Sequence, residues 1–261
     1  MLAIYLLDHW YLTLGILGLL LLATEVGFRF GWWRQARVDA DGRAQIVTMQ
    51  AAILGLLALL LGFTFALAAS RFEARKGLVL QESNAIGTAY LRFALLLAPA
   101  REELEALMRR YVEARLALNQ AESWDSLRAA QTAASQLQNA MWTRMGELVR
   151  EDGRPVPHGL ILQVLNDVID LDAERRAALF NRVPGVILAL LLGVGALALL
   201  ITGYSFGPGE GRSLLATLVM PLLIAGVIAV IIDLDRPYRG LSQIGQHSLL
   251  ELQESLTRSG P

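Results

Sequence analysis

Apolar residues in this chain gather into four long runs, and the stretches between them follow the helical period. A hydrocarbon core about 30 Å thick takes ~20 predominantly apolar helical residues to cross. Positions of about 10–30, 48–70, 183–203 and 213–232 each meet that length. The only charges in the first run, Glu25 and Arg29, sit four residues apart near one end, where they can pair and snorkel. The second run holds AAILGLLALLLGFTFALAA at 51–69 without a charge, and the fourth carries Pro221, which a membrane helix tolerates. Aromatic residues mark borders: Tyr5, Trp10 and Tyr11 before the first run, Trp32 and Trp33 after it. That run lacks a basic leader and is followed by Trp32-Trp33-Arg34 rather than small residues, which predicts a retained helix.

The middle of the chain reads as helix throughout. No turn residue interrupts the second run before Pro99, which predicts one long helix emerging from the membrane. Leu104, Leu107, Met108, Tyr111, Val112 and Arg115 follow a 3.6-residue stripe. Ser123 suits the N-cap of a further helix running to Arg150. The stretch 153–159, with Pro155, Pro157 and His158, is expected as a loop with a surface histidine, followed by a helix over 160–181. Nothing alternates at period two, so strands are not expected. The tail after Pro237 reads as peripheral, with a short helix at 248–256. The predicted fold class is an all-α polytopic membrane protein: four transmembrane helices and a helical bundle. Its parts are a membrane pair at 1–70, the bundle at 71–182, a second pair at 183–236 and a tail at 237–261.

Composition agrees with that picture and removes most chemistry. The chain is 261 residues long, 54% hydrophobic and 18% charged, against roughly 25% charged in soluble domains. A formal charge of −1 gives no basic footprint for nucleic acid. There is no cysteine, which removes disulfides, thiolate catalysis and Cys-based metal sites. His9, His158 and His247 have no metal-ligand spacing, and no nucleophile elbow, P-loop or dinucleotide fingerprint is present. No enzyme, cofactor or metal is expected. Eight basic residues flank the runs on the side of the termini and middle segment, against five on the other, which predicts a cytoplasmic bundle and cytoplasmic termini.

Four features invite a functional reading. The face Ala52, Gly55, Leu59, Gly62, Phe63, Ala66 and Ser70 of the second run carries small residues that suit close helix packing. The same uncharged face would serve as a hydrophobic constriction if several copies surrounded an axis. Glu82, Asn84 and Thr88 form a polar patch expected to bond between helices or subunits. Asp233, Asp235 and Arg236 read as an ion-paired hinge after the fourth run, better than as a cation site, which needs more oxygen ligands. The glycine-rich 207–211 reads as a tight turn, not a phosphate cradle.

The residues also carry a resemblance. Leu61-Gly62-Phe63-Thr64-Phe65, with Arg71-Phe72 eight residues after Phe63, resembles the second-span signature of bestrophins, Leu-Gly-Phe-Tyr-Val followed by Arg-Trp-Trp. The segments at 70–75, at 82–92 (ESNAIGTAYLR) and at 233–237 are similar to the bacterial bestrophin-like family of four-span membrane proteins. Bestrophins are pentameric anion channels with three apolar neck residues at i, i+4 and i+8, which fall here on Gly55, Leu59 and Phe63. The first of these is glycine, and Phe72-Glu73 replaces the paired tryptophans. The acidic run that clasps calcium in animal bestrophins is missing, with only Asp233 and Asp235 nearby. The resemblance implies a homo-oligomer of five copies in the lipid bilayer of a bacterial inner membrane that passes small anions, with Arg71 and Arg75 attracting them at the mouth. The rival expectation is a non-conducting scaffold or sensor that binds a cytoplasmic partner through the bundle.

Overall fold

The computed structural model describes residues 9–34, 40–120, 123–151, 155–206, 214–236 and 244–258. The turn expected at 207–211 and the aromatic Tyr5 lie outside them. Eight helices follow in order: α1 His9–Arg34, α2 Ala40–Phe93, α3 Ala100–Asn119, α4 Trp124–Glu151, α5 Pro155–Phe180, α6 Gly185–Phe206, α7 Leu214–Asp235 and α8 His247–Arg258. No strand occurs among the described residues. Four of the helices are long and apolar enough to cross a membrane. The chain divides into two compact units. Unit 1 is Met1–Phe72 with Arg182–Gln243; unit 2 is Glu73–Asn181 with Ile244–Pro261.

Unit 1 packs on apolar residues of α1, α2, α6 and α7, among them Leu20, Leu57, Leu199 and Ile228. Its tightest crossing joins α1 and α6. A Cβ on Gly27 would lie 1.9 Å from the Leu200 carbonyl oxygen, on Gly31 2.3 Å from that of Tyr204, and on Gly203 2.1 Å from that of Thr24. The two backbones meet so closely that only glycine fits at these three positions. Gly27 and Gly31 form a small-xxx-small pair, the motif that permits such approach in lipid. Gly55 and Gly62 on α2, where close packing was expected, have nothing within 4 Å. The glycines that pack are Gly27 and Gly31 of the first run and Gly203 of the third, while Gly55 and Gly62 of the second stay open.

Unit 2 has a core of Phe93, Leu104, Met108, Tyr111, Met141 and Leu165 among others. Ser123 caps α4 as its position predicts, its hydroxyl accepting from the Ser126 amide at 3.1 Å. Two expectations are corrected. Helix α5 begins at Pro155, because proline's fixed φ and missing N–H suit a first helical turn, so 155–159 are helical. His158 then falls on the stripe of Ile161, Leu165, Val168 and Asp172 and is 2% exposed, not a surface histidine. The tail is not peripheral either. Leu249 and Leu256 of α8 are buried in the unit 2 core, and the Ser83 hydroxyl donates to the Ser248 carbonyl at 2.9 Å.

Candidate functional site

Helix α2 runs 54 residues without a break, from the membrane run into unit 2. At 100° per residue its positions sort into faces. In unit 1 Gly55, Leu59, Phe63, Ala66 and Ser70 are exposed and share one side of the helix; in unit 2 Glu73, Leu80, Asn84, Thr88 and Leu91 are exposed and share one side. Leu59 is 54% and Phe63 66% exposed. Exposure in the apolar run is ordinary for a helix that faces lipid. In unit 2 the open side carries the polar Glu73, Asn84 and Thr88, as a water-facing side of a helix does.

Where the helix leaves the apolar run, the two arginines differ. Arg71 is half-buried, and its Nη1 is shielded from solvent with no hydrogen-bond partner. Arg75 is 4% exposed; its Nε donates to the Ala178 carbonyl at 3.2 Å and its Nη2 to that of Asn181 at 3.0 Å. It therefore caps the C-terminal end of α5, where unpaired carbonyls and the helix dipole favour a cation.

The polar patch of α2 divides. Asn84 and Thr88 lie on the open side, with the Thr88 hydroxyl donating to the Asn84 carbonyl at 2.9 Å. Glu82 points the other way, is fully buried, and is gripped by two other helices. Arg115 of α3 places Nε 2.7 Å from Oε1 and donates from Nη2 to Oε2 at 3.2 Å. The Tyr111 hydroxyl donates to Oε1 at 3.1 Å, and Arg175 of α5 donates to Oε2. Arg115 Nη1 continues to Asp172 Oδ1 at 2.5 Å. The second Asp172 oxygen takes Gln138 Nε2 of α4 at 3.3 Å and Arg176 Nη1 at 3.1 Å. Two carboxylates and three guanidiniums are thus linked inside unit 2.

Burial and the adjacent Glu82 charge push the Tyr111 phenol well above its ordinary value. Burial alone would lower the Arg115 pKa, but Glu82, Tyr111 and Asp172 together outweigh it and hold the guanidinium above its usual range. This is a structural ion network, its charged groups paired and, apart from Arg176 at its edge, little exposed. The sequence placed Glu82 in the patch without its partners, because Arg115 and Arg175 lie 33 and 93 positions away along the chain and no local pattern links them.

After α7 the residues Asp233, Asp235 and Arg236 are all buried. Both Asp235 carboxylate oxygens accept from the Val183 amide at 3.0 Å, close to the start of α6. That is the place where a carboxylate meets the positive end of a helix. Among the described residues no group of three His, Asp or Glu could hold a metal ion.

Comparison with known proteins places this arrangement. Residues 18–249 match the model of the bestrophin-like domain. No curated protein matches by sequence. Crystal structures of a bacterial bestrophin homolog from Klebsiella pneumoniae share the fold. One phased on zinc is 15% identical, with a TM-score of 0.69, covering 95% of this chain and 99% of that one. A single-substitution form of the same homolog is 15% identical, with a TM-score of 0.70, covering 94% and 97%. A four-span helical chain matched to the bestrophin-like domain over most of its length belongs to the bestrophin-like family.

Proposed function

We propose that copies of this chain, five by the family resemblance, surround an axis and pass small monovalent anions through a neck formed by Gly55, Leu59 and Phe63. The observation that carries this reading is the uncharged open side of α2 in unit 1, on which Leu59 and Phe63 are 54% and 66% exposed beside Gly55 and Ala66. Leu59 and Phe63 stand one turn apart, ~6 Å along the helix, and would form two stacked apolar rings that repel water when narrow. Arg71, half-buried at the end of the apolar run, is the arginine of the two not committed to capping α5 and supplies the positive charge near the mouth. Arg75 contributes by holding α5 rather than by meeting the ion. The bundle and both termini lie in the cytoplasm of a bacterial cell, following the excess of basic residues on that side.

The test is halide flux through purified protein in liposomes, beside empty liposomes, with native mass spectrometry of the same preparation. A closed ring with flux above the control is expected, and Phe63→Ala raises the flux while the ring stays intact. A monomer, or Phe63→Ala with unchanged flux and a lowered melting temperature, would remove the pore and leave the scaffold reading.

A further inference from the structure

We propose that Asp41 makes the pathway direction-dependent: as an acidic rim at the start of α2, it slows the entry of anions at that end of the neck. The role rests on the axial-pore reading above and lies wholly within unit 1.

Asp41 belongs to the first turn of α2 and is exposed. Eighteen residues separate it from Leu59, and at about 100° per residue that makes five complete turns, so the two stand in line along one helix. Gln45, Thr48, Ala52 and Gly55 fall within about 40° of the same line, and all four are exposed. The open side of α2 in unit 1 thus runs from an acid through polar Gln45 and Thr48 into the apolar stretch that holds Leu59, Phe63 and Ala66. The opposite side is the packed one. Leu57, Thr64 and Ala68 are buried there. Gln50, about 180° from Leu59, donates to the Thr202 hydroxyl of α6 at 3.1 Å and accepts from that of Ser205 at 2.9 Å. With that side held, whatever Leu59 faces, Asp41 faces too.

Between positions 41 and 72 the charged side chains are Asp41, Arg43 and Arg71. Arg43 is turned about 160° from Asp41, and Arg71 about 120° from Leu59, so the acid is the charge that stands on the open side. Copies placed around an axis bring their Asp41 carboxylates toward one another, while each Arg43 lies across a helix about 10–12 Å wide. That width is close to the Debye length of ~10 Å at 0.1 M salt, so the outward arginine is largely screened from the pathway. The positive end of the α2 dipole offsets about half a charge per copy, which leaves the rim net negative. An anion arriving there is repelled, whereas the other end of the run carries Arg71. Anions therefore enter more readily from the Arg71 end than from the Asp41 end.

The chain has no cysteine, so Asp41→Cys supplies a single thiol without background. Single channels of the unsubstituted protein and of Asp41→Cys would be recorded in planar bilayers with equal chloride on both sides. The unsubstituted protein is expected to pass anions up to about tenfold more readily from one chamber in dilute salt. This asymmetry fades at about 1 M, where the Debye length falls to ~3 Å. Asp41→Cys reduces the asymmetry. An anionic methanethiosulfonate in the disfavoured chamber then restores it, and a cationic one drives it the other way. A merely structural disturbance changes the current alike with either reagent, so opposite responses to opposite charges report the field. Should Asp41→Cys not assemble, Asp41→Asn keeps the side-chain shape and is expected to show the same reduction. A symmetric current from the unsubstituted protein, or a response that ignores the sign of the reagent, overturns the role of Asp41. No current at all, or one that reverses at the cation's equilibrium potential in a salt gradient, overturns the anion-pore reading instead.

Discussion

The α1–α6 crossing of unit 1 and the Glu82 network of unit 2 hold helices together by opposite means. At the crossing the backbones touch through Gly27, Gly31 and Gly203; the Thr24 hydroxyl donates to the Leu20 carbonyl of its own helix, and the side-chain bonds beside Gly203, from Gln50 of α2 to Thr202 and from Ser205 to Gln50, are uncharged. In unit 2 two carboxylates and three guanidiniums are drawn together from α2, α3 and α5, with Gln138 of α4 bridging Tyr111 and Asp172. Lipid explains the first: it offers no hydrophobic driving force between apolar helices, so association depends on close dispersion contact. Water explains the second, since an unfolded unit 2 would leave these charges solvated and only mutual pairing offsets their burial.

That contrast can be broken from either side, and the largest effect is expected in unit 2. Arg115→Met leaves Glu82 and Asp172 buried with their shared partner gone, and costs about 3–5 kcal/mol. Replacing the three together, Glu82→Leu, Arg115→Met and Asp172→Leu, should recover most of it, because a well-packed apolar core can substitute for a buried ion network. Thermal denaturation of the single and triple variants in detergent decides this; a triple variant as unstable as the single would mean the ions are needed for more than mutual satisfaction.

Next comes the crossing. Gly203→Ala places a carbon against the Thr24 carbonyl oxygen and forces the backbones apart, at or above the roughly 1–3 kcal/mol typical of overpacking. Gly55→Ala, with nothing within 4 Å, is the control and should leave the melting temperature unchanged. Equal losses at both positions would show that α2 packs on its open side as tightly as α1 does on α6. A smaller loss, about 1–2 kcal/mol, is expected for Asp235→Ala, which removes the acceptor of the Val183 amide at the start of α6. Asp235→Asn, which keeps one acceptor, should fall between.

The mildest effect is in the pH dependence. The folded protein holds the Tyr111 proton more tightly than the unfolded chain, where the phenol titrates near 10.0. A pKa raised on folding contributes stability that is complete below that value and is lost as pH climbs through it toward the folded value. Stability should therefore decline above about pH 10. Tyr111→Phe should flatten this part of the slope while lowering stability at neutral pH by about 1 kcal/mol for the lost hydrogen bonds. Melting curves across the alkaline range of both proteins give the comparison.

Much of this architecture is written along the chain. Four runs of ~20 apolar residues can only be membrane helices, and the unbroken stretch from the second run to Pro99 foretells α2 because nothing in it stops a helix. Ser123 announces α4 by the same local logic. What locality does not carry is the partner of a face. Small residues on the second run and on the first look alike in sequence, yet only Gly27 and Gly31 meet another backbone. Glu82, Asn84 and Thr88 form one patch by spacing, and the fold sends the acid inward and the other two outward, because only Glu82 finds Arg115 and Arg175 waiting on distant helices. Arg75 resembles Arg71 until the end of α5 arrives to occupy it. Periodicity and breakers act over a few residues and so determine the elements; the meeting of charges and backbones far apart in sequence exists only once those elements have packed.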